Sequence, residues 1–77
     1  MFGFSNKDKC VAVCLEGIRM GKWFGHEGDL VGFVINKGFD LATIKKAMIL
    51  AIEQNYKHNP GQMKDLIIIA ERELGKL

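Results

Sequence analysis

The chain reads as an all-α domain of four helices, the second short and open to a β-hairpin alternative that would make the fold α+β. Three observations lead there. Apolar residues recur at close to 3.6 residues per turn over three separate stretches. Helix-start signals stand ahead of each: Ser5 with Asp8 in S-x-x-D form, Asp40, and Asn59-Pro60. Six of the nine glycines, at positions 17, 21, 25, 28, 32 and 38, fall between the first stretch and the second and mark the connections.

The first helix is predicted from about Asn6 to Met20. Behind the Ser5 cap, Cys10, Val11, Val13, Cys14, Gly17 and Ile18 share one broad face, while Asp8, Ala12, Glu16 and Arg19 take the other. Phe2 and Phe4 form an apolar lead into it. CVAVCL also alternates as a strand would, but the cap and the length favour a helix. Gly17, Gly21 and Gly25 have small-xxx-small spacing; with Arg19 and Lys22 between them, the plainer reading is a helix that frays at Gly21 into GKWFGHEG. Trp23 and Phe24 are expected to fold back over the core.

The second element spans Leu30, Val31, Phe33, Val34 and Ile35, with Asp29 as N-cap and Gly38 as a left-handed stop. Its Val and Ile content leans toward β. As a strand, it would pair with Lys22 to Phe24 across a turn near HEGD. The third element, from Leu41 to about Lys57, carries a core stripe of Leu41, Ile44, Met48, Ala51 and Ile52, widened by Ile49 and Tyr56. So wide an arc predicts a central helix contacted from two sides. The last, Pro60 to Leu74, faces inward with Met63, Leu66, Ile67, Ala70 and Leu74, and Gly75 closes it. Ile68 and Ile69 lie roughly 120° or more from that face, so burying them takes another element or another molecule.

Seventy-seven residues make one domain, covering 1–77, with a modest core that an oligomer could extend. Apolar residues are 48% and charged residues 26%, which excludes disorder. The net charge of +2 is spread evenly, as in Lys7-Asp8-Lys9, which is unlike the footprint of a strong nucleic-acid binder. No apolar run approaches the roughly 20 residues of a membrane span. MFGFSNKDK lacks the order of a secretory signal, and two cysteines do not make a disulfide framework, so a reducing, cytoplasmic setting is expected.

Gly38 to Ile44, with Met48 beyond, resembles the turn and second helix of a helix-turn-helix. That resemblance implies DNA binding through Thr43, Lys45 and Lys46. Two features depart from it: Lys37 stands where an apolar core residue is usual, and the outward positions include Leu41, Ala42 and Ile49, whereas base reading uses Arg, Asn or Gln. Cys10 and Cys14, one turn apart, could join His26 and His58 as zinc ligands, yet both sit mid-face where Cys packs as a small hydrophobe. His26 with Glu27 and Asp29 gathers acid-base groups in a segment too small to enclose them, and no G-x-x-x-x-G-K-[ST] occurs. Neither an enzyme nor a cofactor is expected. The apolar surplus of Trp23, Phe24, Leu50, Ile68 and Ile69 instead points to contact with a protein partner or a second copy, as in a small regulator, adaptor or inhibitor.

Overall fold

A computed structural model of the protein describes residues 5–25 and 29–77. The expected apolar lead at Phe2 and Phe4, and the turn at His26 to Gly28, lie outside the described residues. Four helices follow in order: α1 (Asn6–Arg19), α2 (Leu30–Ile35), α3 (Leu41–Asn55) and α4 (Pro60–Gly75). Among the described residues there is no strand, and no helix is long and apolar enough to cross a membrane.

Each start signal forms its cap. The Ser5 hydroxyl accepts from the Asp8 amide at 3.1 Å, while the Ser5 amide donates to the Asp8 carboxylate at 3.3 Å. The Asp40 carboxylate accepts from the Thr43 amide at 3.2 Å. The Asn59 side-chain oxygen accepts from the Gln62 amide at 3.3 Å, with Pro60 in the first turn, where its missing N–H costs nothing. The stops fall within two residues of expectation. α1 ends at Arg19 in a Schellman pair, with Gly21 donating to Ile18 and Lys22 to Gly17, each at 3.0 Å. α3 ends at Asn55, two residues short of Lys57, and α4 runs one residue past Leu74 to include Gly75.

The helix alternative holds at the second element. Leu30, Val31 and Val34 are buried while Gly32 and Ile35 are exposed, which is a helical period and not alternation. Asp29 decides the matter locally: one carboxylate oxygen accepts from the Val31 amide at 2.7 Å and the other from the Gly25 amide at 2.8 Å. That cap outweighs the β leaning of Val and Ile, because propensity is a weak prior against a formed terminus. Among the described residues, a backbone bond from the Leu30 amide to the Trp23 carbonyl, 3.1 Å, spans the connection. Gly38 then turns the chain with φ 94°, its amide donating to Ile35.

α3 is the central helix. α1 packs along it most extensively, α4 lies against it on another side, and α2 touches both α1 and α3. Ile44, Ala47, Met48, Ala51 and Ile52 are fully buried, and Leu50 and Ile49 at the edges are half-buried. At 100° per residue that arc covers roughly 260° of the helix. Among the described helices α4 makes its close backbone approach to α3, and none to α1 or α2.

The α1–α2 crossing depends on Gly17. A Cβ there would stand 2.5 Å from the Leu30 Cδ1 and 3.0 Å from the Phe33 Cδ2. Leu30 is fully buried and has nowhere to move. Gly17→Ala therefore trades about 1 kcal/mol of helix propensity against overpacking of about 1–3 kcal/mol. The expected outcome is a net loss that lowers Tm by several degrees in calorimetry, with Gly61→Ala, in open space, as the control that does not.

Candidate functional site

The five apolar contact candidates occupy different environments. Phe24 is 7% exposed and belongs to the core, so it is withdrawn from any contact surface. Its ring meets Trp23 edge to face, with centroids 4.9 Å apart and planes at 78°. Both aromatics thus fold back over the core, as their place in the connection suggested. Trp23 remains half-buried and walls a groove with Ile18, Tyr56, Gln62 and Leu66, where the ends of α1 and α3 approach α4. Leu50 is half-buried in a separate crevice, beside Val11, Leu15 and Gln54.

Ile68 and Ile69 part company. Ile69 is half-buried and packs against the core, so this chain covers part of it without another molecule. Ile68 is 53% exposed on the outer side of α4. The inward face of α4 is less covered than its pattern suggests: Ala70 and Leu74 are buried, but Met63, Leu66 and Ile67 are only half-buried. The reason is that, among the described helices, only α3 packs closely along α4. Periodicity shows which way a face points, and the number of helices that cover it is a tertiary fact. Leu41, expected in the core stripe of the third element, is 40% exposed, and Met20 and Ile35 are exposed as well; each stands at a helix end, where burial depends on the connection.

The stretch resembling a helix-turn-helix is placed as follows. The Thr43 hydroxyl donates to the Asp40 carboxylate at 2.6 Å, completing the cap. Together with the Thr43 amide, that bond holds the Asp40 carboxyl below its ordinary pKa. Lys45 is half-buried and Lys46 exposed, and the two edge a groove with Ile49, Glu71 and Leu74 between α3 and α4. Past its first residue, the exposed positions of α3 are Ala42, Lys46, Glu53 and Gln54. A helix flanked on several sides presents a narrow stripe of mixed charge to a groove of DNA. Lys37 has a local role instead: its ammonium and that of Lys22 each lie 5.3 Å from the centroid of the Phe33 ring.

Cys10 and Cys14 are fully buried free thiols on α1. Burial pushes the Cys14 thiol up to about 12, helped by Cys10 beside it, and burial raises Cys10 as well. Such thiols are poor ligands and poor nucleophiles, because the thiolate is the reactive form. His58 is exposed, His26 lies outside the described residues, and among the described residues no three His, Cys, Asp or Glu side chains gather as metal ligands.

No family model, curated protein or solved structure matches the chain. The surface of α4 is the candidate site, on geometry alone.

The buried thiols set a pH expectation. Cys14 ionises near its ordinary 9.0 when unfolded but about 12 when folded, so the stability its neutral form provides is complete below pH 9 and is lost as pH rises toward 12. Urea midpoints of the wild type should fall more steeply across that window than those of Cys14→Ala. Parallel slopes would contradict the assignment.

Proposed function

We propose that the protein is a small interaction module, a regulator, adaptor or inhibitor, that works by seating a protein partner or another copy of itself on α4. The observation that carries this reading is the one-sided packing of that helix. Among the described helices α4 packs closely along α3 and not along α1 or α2, which leaves Ile68 in solvent and Met63, Leu66, Ile67 and Ile69 only half covered. Isolated exposed apolar residues are ordinary, but α4 leaves apolar surface uncovered both on its outer side, at Ile68, and along its part-covered inner face, and a partner seated on the helix can dry it. Trp23 adds an aromatic edge near Leu66, and aromatic side chains supply large contact area at low entropic cost.

The described interior is apolar throughout. Among the described residues, no polar or charged side chain is buried. General acid-base work depends on a group held in a water-poor pocket, and the grooves here are open clefts between helices. The free, buried thiols support a reducing, cytoplasmic setting.

The test uses Ile68→Glu, a substitution at an exposed site that leaves the core intact. Affinity capture with the wild type is expected to retain a protein that the variant loses by about tenfold or more, or sedimentation is expected to show self-association that the variant abolishes. Identical capture by both chains, with both monomeric, would remove α4 as the binding element.

A further inference from the structure

We propose that the occupant of the outer α4 surface is a second copy of the chain, its α4 running antiparallel to the first about a twofold axis between Ile68 and Ile69. This rests on the reading of α4 as the binding element and goes further by naming the partner and the register.

The argument is one of charge and symmetry. Asp65 and Arg72 are both exposed on α4. Standing seven residues apart, they fall on one stripe of the helix to within roughly 20°. The midpoint between them lies between Ile68 and Ile69. An axis there, perpendicular to two antiparallel helices, sets Asp65 of each copy opposite Arg72 of the other, and Ile68 opposite Ile69. Lys64 is brought level with Glu73 in the same register. A twofold interface must be self-complementary, and this stripe has that property: an apolar centre flanked on either side by opposite charges.

Two further details favour it. Among the described residues, Arg72 pairs within its own chain only with Glu73, at 3.7 Å, and Glu73 has a closer partner in Lys76 at 2.9 Å. The guanidinium is therefore free to turn outward, since an exposed pair of that length contributes little. Gly61 lies a turn before Asp65 on the same stripe, with open space where a Cβ would be, so the helices can approach closely at that end. A single helix pair covers less area than a standard interface, which makes the dimer weak and concentration-dependent, with Kd in the micromolar range or above.

Sedimentation equilibrium over a concentration series up to about 1 mM decides it. The wild type is expected to dimerise. Asp65→Arg and Arg72→Asp are each expected to weaken self-association by about tenfold or more, because the axis applies each repulsion twice. Mixing these two variants is expected to restore a dimer, and so is the double exchange Asp65→Arg/Arg72→Asp. Both substitutions are at the surface, and circular dichroism checks that the helices persist. A wild type that stays monomeric overturns the pairing, as does a dimer indifferent to both reversals. A monomeric wild type that captures another protein through Ile68 would overturn the pairing while leaving α4 as the binding element.

Discussion

The fold depends on the need to cover α3. With Ile44, Met48 and Ile52 fully buried and apolar or small residues reaching round roughly 260° of its circumference, this helix cannot satisfy the hydrophobic effect against one neighbour. α1, α2 and α4 each close a sector of it. The rest of the molecule is arranged for that purpose. Gly17 lets α2 come close enough to α1 for Leu30 to fill the gap between them, and the Asp29 carboxylate holds the incoming chain at the angle that crossing requires. Gly38 and Asp40 then direct the chain from α2 into α3.

Most of this architecture was legible in the sequence because its signals are local. Ser5, Asp40 and Asn59-Pro60 act within their own turn, so their meaning does not change with tertiary context. The second element was ambiguous because five apolar residues fit either period, and the balance tipped on a hydrogen bond from Gly25 that spans the connection. The contact residues were harder to read for the same reason. Phe24 and Trp23 are neighbours in the chain, yet one is enclosed and the other lies at a groove, a difference set by where α4 comes to rest. Ile68 was readable as an outlier because it opposes the inward face of its own helix. Ile69 lies on a flank close enough to the core to be partly covered by it.

The region resembling a helix-turn-helix shows how a local pattern can serve a different end. Its glycine turn and capped helix are present, but the second helix of the pattern, α3, is the one that all three other helices pack against. A helix that must be covered on several sides to be stable has little surface left to offer a groove of DNA. The lysines of this stretch accordingly border a cleft or lie against the Phe33 ring.

The packing of α4 along α3 alone among the described helices also bears on how the molecule opens. Its buried anchors, Ala70 and Leu74, sit in the C-terminal half, while Met63, Leu66 and Ile67 toward the start are half covered. Proteins open in cooperative units, and a unit with few buried contacts opens at the smallest free energy. With only Ala70 and Leu74 buried, α4 is the helix expected to lift from α3 first, while the α1–α3 body keeps its own contacts. Whatever binds the closed helix shifts that opening equilibrium by mass action. If α4 is the binding element, its occupancy and the integrity of the α3–α4 hairpin are linked, because a bound molecule would cover a side of α4 that no other described helix packs along.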